Sequence, residues 1–228
     1  MYTLIAFDAY GTLFDVYSMG RLAEELFPGQ GQAFALMWRD RQVEYTRLVT
    51  MSDPNPGGSK YYLSFMEITI RSLRYVCKRM GLNLTPDYEK QIMDQYVKLP
   101  SFEDALSVLK SIKKQGIPTA ILSNGTSEML SKLLDVNGLK PYLDKVVTIE
   151  DVRLFKTAPQ VYELLLKSFP VKKEEILFVS SNAWDALAAK WYGFDVFWVN
   201  RMGDPYEEIG DLPNYEGNSL TKVLDAIQ

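Results

Sequence analysis

The sequence predicts an α/β fold, in which a doubly wound parallel sheet receives a helical insertion after its first strand. Short apolar or β-branched runs alternate with helical patterns through the second half of the chain. A stretch from about residue 16 to residue 98 has helical periodicity and no convincing strand alternation. The run at residues 4–7 ends in a carboxylate and a glycine-containing turn, as buried parallel strands often do.

Five strands are predicted, each followed by polar or turn residues. Active sites of α/β folds lie at the carboxyl ends of the strands, so the residues that follow these runs are the first candidates for chemistry. The strands are expected at residues 4–7, 119–122, 145–148, 176–179 and 196–199.

Helical patterns separate the later strands. Between Pro100 and Gly116 apolar residues repeat on one helix face, and Gly116 with Pro118 ends that helix. Similar patterns cover residues 127–136, 159–168 and 183–192. This alternation predicts right-handed βαβ connections and one open sheet.

The inserted stretch is interrupted at residues 28–31, 53–59 and 81–86, which divides it into about four helices. We therefore expect a core domain of residues 1–15 and 99–228 and a helical cap domain of residues 16–98. Both ends of the insertion fall close to the turn after the first strand, so the cap is expected to cover the active edge of the sheet.

Composition excludes several classes of protein. The chain has 228 residues, 47% of them hydrophobic, and a net charge of −4 with scattered basic residues, which argues against a nucleic-acid surface. No run of about eighteen apolar residues and no secretory signal pattern is present, so we expect a soluble cytoplasmic protein without membrane contact. The single Cys77 is expected to lie in a helix core.

The chain contains no histidine. This excludes Ser-His-Asp and Cys-His catalysis, histidine metal sites and a histidine base. Any catalysis must therefore use carboxylates, amines and hydroxyls.

Four segments place polar residues at or just beyond strand ends: FDAYGTLFD, ILSNGT, LFK and LFVSSNAWD. Asp8, at the head of the first, follows a strand, where an acid can also serve only as a helix cap. Four such segments in one order favour a convergent site over that alternative.

These segments resemble the haloacid dehalogenase superfamily, and FDAYGTLFD with SSNAWD resembles its L-2-haloacid dehalogenase branch, over nearly the whole chain. The resemblance implies a Rossmann-like core with a helical-bundle cap. It implies an aspartyl nucleophile at Asp8, with Ser123, Lys156 and Asp185 on later loops. The implied reaction is hydrolysis of short-chain L-2-haloalkanoic acids to D-2-hydroxy acids with inversion, through an ester on Asp8.

Two positions separate this branch from the superfamily's phosphatases. Phosphatases carry a general acid where this chain has Tyr10, and an acid that helps hold magnesium where it has Ser181. A halide leaves without protonation and a hard cation prefers anionic oxygens, so we expect no metal and no cofactor. A magnesium-dependent phosphatase is the alternative enzyme, and a non-catalytic protein with the same fold is the alternative from another class.

The resemblance also assigns polar contacts to the substrate. Arg39, within LMWRDRQVEYT, is expected to receive the halide and help bind the substrate, although Arg41 competes for that role on periodicity alone. Ser123 and Asn124 precede a helix, where they either receive the substrate carboxylate or cap the helix. Lys156 and Arg39 are expected to balance the charges of Asp8 and of the acid in the closing loop.

Three aromatic residues complete the predicted pocket. Tyr10 and Tyr162 are expected to contact the substrate, the latter from KTAPQVYEL. Trp184, in SSNAWD, is expected to wall the pocket, with a plain core role as its alternative. Thr157 follows Lys156 where the family commonly has proline, so the resemblance does not define the conformation of this loop.

The predicted reaction has two steps. Thr12 and Ser180 are expected to orient Asp8 by hydrogen bonds, and Lys156 to keep it ionised. Water is then expected to attack the ester, positioned by Asp185, Lys156 and Asn182. The expected partners are the 2-haloacid and water, and the family suggests a homodimer.

Overall fold

The computed structural model describes residues 2–228. Within them, six strands form one parallel sheet in the order β3-β2-β1-β4-β5-β6. This is a doubly wound order, and it confirms the predicted fold class. The strands are β1 (Leu4–Phe7), β2 (Thr119–Ser123), β3 (Lys145–Thr148), β4 (Ile176–Ser180), β5 (Asp195–Val199) and β6 (Tyr215–Gly217).

The centre of the sheet is apolar on both faces. Every residue of β1, β2 and β4 is buried, as helices covering both sides of a parallel sheet require. Strand β6 was not predicted, because Tyr215 and Glu216 are exposed and the strand has no apolar run. Pairing with β5 at the edge of the sheet forms it instead.

Helices cover the sheet and form the insertion, with the expected bounds at residues 127–136, 159–168 and 183–192 confirmed. One insertion helix begins later than its pattern indicates, because Ser64 caps it reciprocally with Glu67. The helices are α1 (Met19–Leu26), α2 (Gly31–Met51), α3 (Phe65–Met80), α4 (Pro86–Tyr96), α5 (Ala105–Lys114), α6 (Ser127–Val136), α7 (Pro159–Ser168), α8 (Ala183–Tyr192) and α9 (Val223–Ala226).

Helices α1 to α4 make up the insertion, and we retain core residues 1–15 and 99–228 and cap residues 16–98 as proposed domains. An aromatic cluster of Phe34, Trp38 and Tyr96 packs α2 against α4. The insertion is tied to the loop before Lys156, because the N–H of Phe155 donates to Thr50 Oγ1 at 3.0 Å. Across residues 2–228 no helix is long and apolar enough to cross a membrane.

Candidate active site

Asp8 follows β1 at the point where the strand order reverses, between β2 and β4. Its N–H donates to the carbonyl of Val179 at 2.9 Å, which continues the β1–β4 pairing by one residue. The turn that follows contains Gly11 at φ +94°, a conformation that L side chains rarely adopt. The fold therefore delivers the Asp8 carboxylate to the sheet edge where α/β proteins bind ligands.

The Asp8 side chain is 8% exposed, and its carboxylate accepts three side-chain hydrogen bonds. Lys156 Nζ lies 2.9 Å from Oδ1, while Thr12 Oγ1 and Asn182 Nδ2 donate to Oδ2 at 3.0 and 2.9 Å. None of these donors is a backbone N–H at a helix start, so Asp8 does not act as a helix cap. The predicted contact with Thr12 is present.

Lys156 lies between two carboxylates. Its side chain is 1% exposed, and Nζ donates to Asp185 Oδ2 at 2.8 Å as well as to Asp8. Burial acts to lower the pKa of Lys156, but the charges of Asp185 and Asp8 outweigh it, so the pKa is raised and the amine stays protonated. Arg39 contacts neither carboxylate, so a single cation balances this pair directly, not the two that were predicted.

Asp185 is fully buried and also accepts hydrogen bonds from Ser180 Oγ at 3.1 Å and Tyr162 Oη at 2.8 Å. Burial raises the pKa of the Asp185 carboxyl, Lys156 opposes that rise, and the negative Asp8 adds to it. The structure corrects the role predicted for Ser180, whose hydroxyl faces Asp185 instead of Asp8. Asp8 and Asp185 both place a carboxylate at this sheet edge, and the sequence does not show which of the two Ser180 contacts.

Tyr162 also differs from its predicted role. Its ring is fully buried among Phe178, Tyr192 and Phe194, away from the cavity beside the site. Because its hydroxyl donates to Asp185 Oδ1, we revise its role from substrate contact to a positioning residue for Asp185.

A Tyr162→Phe variant is expected to slow turnover about ten-fold, since one hydrogen bond to a buried carboxylate is lost. That hydrogen bond helps lower the pKa of Asp185, so its loss should raise the pKa further and move the acidic limb of the pH–rate profile to higher pH. Tyr192→Phe is the matched control, because its ring packs against Tyr162. An unshifted acidic limb in Tyr162→Phe would contradict the positioning role.

Ser123 and Asn124 do not cap α6, since Thr126 Oγ1 accepts the N–H of Met129 at that helix start. Ser123 Oγ instead accepts the N–H of Gly125 at 3.0 Å. Asn124 Oδ1 accepts the backbone N–H of Lys156 at 2.9 Å, which links the loop after β2 to the lysine. The capping alternative is thereby excluded.

Tyr10, in the turn after β1, is buried against the insertion. Its ring stacks on Tyr96 at a centroid distance of 5.7 Å and packs against Phe65. A Cβ at Gly125 would lie 2.7 Å from Tyr10 Cε2, so only glycine fits against this ring without a shift. The Tyr10 hydroxyl is buried and has no hydrogen-bond partner among residues 2–228.

A cavity of about 770 Å³ lies beside these residues, and Arg39, Asn182 and Trp184 are part of its lining. Tyr10, Ser123, Asn124 and Tyr162, which were also predicted to contact substrate, do not line this cavity. Arg39 Nη2 donates to the carbonyl of Tyr10 at 3.1 Å and to Asn182 Oδ1 at 3.2 Å. Arg39 is thus linked to Asp8 through Asn182, whose Nδ2 donates to the Asp8 carboxylate.

Arg41 occupies a different environment on α2. Its guanidinium lies 4.1 Å from the Tyr75 ring centroid and pairs with Glu44 at 2.9 Å. It does not line the cavity, whereas Arg39 does, so of the two only Arg39 is placed to meet a ligand there.

Sequence reasoning missed two arginines around the site. Arg201 donates to the carbonyl of Thr12 at 3.4 Å while pairing with Asp104 at 3.0 Å. Arg47 lines the cavity with its guanidinium carbon 5.2 Å from the Trp184 ring centroid. A signal for Arg47 exists in the sequence, since it lies eight residues after Arg39 and therefore on nearly the same helix face.

The loop at Lys156 has a cis peptide bond to Thr157. Among residues 2–228 there is no group of three or more acidic or cysteine side chains that could hold a metal ion.

Ser181 occupies the position that an acid has in phosphatases. Its hydroxyl oxygen is buried and has no hydrogen-bond partner among residues 2–228.

Comparison with known proteins agrees with this geometry. A family model described as a haloacid dehalogenase-like hydrolase matches residues 2–193. The chain belongs to this hydrolase family. The crystal structure of the L-2-haloacid dehalogenase RSc1362 superimposes with a TM-score of 0.96 at 42% identity, covering 100% of this chain and 99% of that one.

Two further relatives carry informative names. An (S)-2-haloacid dehalogenase of Pseudomonas sp. (strain YL) is 36% identical over 224 residues, which are 98% of this chain and 94% of the relative. The L-2-haloacid dehalogenase from Xanthobacter autotrophicus, solved with chloropropionic acid covalently bound, has a TM-score of 0.89 at 29% identity. That alignment covers 100% of this chain and 98% of the other, so this haloacid dehalogenase-like hydrolase matches its relatives over their full architecture.

Proposed function

We propose that the chain is an L-2-haloacid dehalogenase that hydrolyses short-chain L-2-haloalkanoic acids to D-2-hydroxy acids. The observation that carries the proposal is the buried Asp8 carboxylate, oriented by Thr12, Asn182 and Lys156 and without a carboxylic acid at Tyr10 to protonate a leaving group. The names of the relatives support the same substrate class, and the covalently bound chloropropionic acid in one of them supports an enzyme-bound ester.

In the first step, a carboxylate oxygen of Asp8 attacks C2 of the substrate in line with the carbon–halogen bond. The new C–O bond forms as the halide departs with the bonding electron pair, and the configuration at C2 inverts. Lys156 pairs with Asp8, and the hydrogen bonds from Thr12 and Asn182 restrict the carboxylate to one orientation. Holding the carboxylate in one orientation beside the bound substrate supplies the positioning that the displacement requires.

The substrate's charges have complementary partners at the site. Arg39 points its guanidinium toward Asn182 and the carbonyl of Tyr10, where it can receive the departing halide. The buried Tyr10 hydroxyl lacks a partner and lies against the loop of Ser123 and Gly125. A substrate carboxylate placed there would satisfy the Tyr10 hydroxyl, which removes the penalty for a buried unpaired polar group.

In the second step, water attacks Cγ of the Asp8 ester, positioned by Asp185, Lys156 and Asn182. The Cγ–O bond to the substrate breaks, the departing oxygen takes up a proton from water, and the D-2-hydroxy acid leaves. Asp8 retains an oxygen atom from solvent and ionises again. The three donors that hold Asp185 fix its carboxylate for this role.

Arg39→Lys is expected to lower kcat/KM by about 100-fold. A lysine ammonium lacks the planar guanidinium that donates to both the Tyr10 carbonyl and Asn182 while facing the halide. Arg41→Lys, on the same helix but away from the cavity, is the matched control and should retain most activity. Steady-state halide release for both variants measures the difference. Equal losses in the two variants would contradict the role of Arg39.

Incubation with L- and D-2-chloropropionate in separate reactions, without added metal, tests the proposed function. We expect chloride release from the L substrate alone, with D-lactate as product. Metal-dependent phosphate release from an aryl phosphate, without chloride release from either enantiomer, would instead identify a phosphatase. Retention of configuration at C2 would contradict direct displacement by Asp8.

A homodimer and a cytoplasmic location are further proposals. Leu48 and Met51, three residues apart and exposed near the end of α2, support an apolar surface for self-association. Light scattering after size-exclusion chromatography would give the mass in solution, and cell fractionation would give the location.

A further inference from the structure

Helix α2 presents two arginines to the cavity at different positions along its axis. Arg39, Val43 and Arg47 follow each other at intervals of four residues, and all three line the cavity. At 1.5 Å per residue, the Cα atoms of Arg39 and Arg47 are about 12 Å apart along the helix. Val43 places an apolar side chain between the two charges.

Arg47 has no carboxylate partner within ion-pair distance among residues 2–228, whereas Arg201 pairs with Asp104 and Arg41 pairs with Glu44. Its guanidinium lies over the ring of Trp184, which fixes its position without neutralising its charge. Of the arginines in the cavity lining, only Arg39 and Arg47 therefore keep their charge available for a ligand.

Arg47 also lies near the catalytic carboxylates. Trp184 directly precedes Asp185 in the first turn of α8. The charge of Arg47 acts at Tyr162, where burial and the charge of Asp185 raise the pKa of the hydroxyl and Arg47 opposes that rise. Because Arg47 packs on Trp184, the residue next to Asp185, a ligand group held at Arg47 would remain close to the reacting centre.

Acidic side chains limit what this cavity attracts. Five of them line it, so it is not a uniformly positive funnel for anions: Asp15, Asp40, Glu44, Asp204 and Glu207. A ligand with a second anionic group can therefore gain affinity only if that group lies at Arg47 itself. In a ligand with two carboxylates, the number of carbon atoms between them should consequently control recognition.

We propose that Arg47 is a specificity-determining residue that selects 2-haloacids carrying a second carboxylate at the far end of the chain. The inference rests on the proposed function, since it needs C2 at Asp8 and the first carboxylate at the Tyr10 hydroxyl. The methylene groups then pass Val43 and Trp184, and the terminal carboxylate meets the Arg47 guanidinium. The substrate class is the 2-halo-α,ω-dicarboxylic acids.

Matched substrate pairs test this assignment: L-2-chloroglutarate with L-2-chloropentanoate, and L-2-chloroadipate with L-2-chlorohexanoate. Within each pair only the terminal carboxylate differs. We expect wild type to prefer the diacid of at least one pair, and Arg47→Gln to reduce that preference about ten-fold or more in kcat/KM. The loss should appear in KM with little change in kcat, because a remote carboxylate binds equally in the ground and transition states.

Arg71→Gln is the matched control, because Arg71 is an exposed arginine on α3 that is outside the cavity lining. It should leave both substrate preferences unchanged. Wild type that turns over the monoacids without preferring either diacid overturns this inference alone, as does an unchanged preference in Arg47→Gln. Absence of chloride release from 2-chloropropionate and from every test substrate overturns the proposed function and the inference together.

Discussion

Asp8→Asn is expected to abolish halide release, with a fall in kcat of about 10⁴-fold or more, while the fold remains intact. An amide is a poor nucleophile, so the ester to the enzyme does not form. The fold should persist because the replacement has the same shape and leaves Lys156 paired one to one with Asp185. Removing one of two buried carboxylates that share a lysine also relieves their repulsion, so the melting temperature should not fall.

Three measurements check this prediction. Halide release gives the activity, circular dichroism melting gives the fold, and single turnover in ¹⁸O-labelled water tests the nucleophile directly. In wild type, label should enter Asp8 before it enters the product. Asp94→Asn, at an exposed ion pair on α4, controls for the loss of a charge and should stay active. Full halide release by Asp8→Asn would eliminate Asp8 as the nucleophile.

The sheet and the chain positions of the site were predictable from sequence for a simple physical reason. Buried parallel strands require apolar runs, and parallel strands bring their carboxyl ends to one edge. The apolar runs therefore predict Asp8 and Ser180 at strand ends, whereas the role of Lys156, eight residues after β3 ends, is implied by the family resemblance. Strand β6 was not, because backbone pairing at an exposed edge leaves no apolar pattern to recognise.

Hydrogen-bond partners were less predictable than positions. Ser180 was expected to orient Asp8 but donates to Asp185, and Tyr162 was expected at the substrate but lies behind the same acid. In both cases the predicted and observed partners lie within a few ångströms of each other. The side-chain rotamer selects between such neighbours, and residue spacing in the sequence carries no information about it. Thr12 was predicted correctly because a turn of four residues restricts which carboxylate it can reach.

Lys156→Met should destabilise the protein by about 3–5 kcal/mol at neutral pH, because it leaves two buried carboxylates without their cation. For a chain of this length that corresponds to a fall in melting temperature of roughly 10 °C. Adding Asp185→Asn to the lysine variant should recover part of the loss, since only one buried charge then remains. Thermal melts of both single variants and the double variant measure this coupling, and Lys90→Met at an exposed pair should change little.

The pH dependence gives a second, independent test. Lys156 opposes the burial-driven rise in the pKa of Asp185, so its removal should raise that pKa further. A carboxyl with a raised folded-state pKa binds more protons folded than unfolded, so stability increases as pH falls through that pKa and levels off below the unfolded value near 3.8. The stability gap between Lys156→Met and wild type should therefore narrow on acidification. A gap that is constant over this range, or a double variant less stable than Lys156→Met alone, would show that repulsion between Asp8 and Asp185 is not what the lysine offsets.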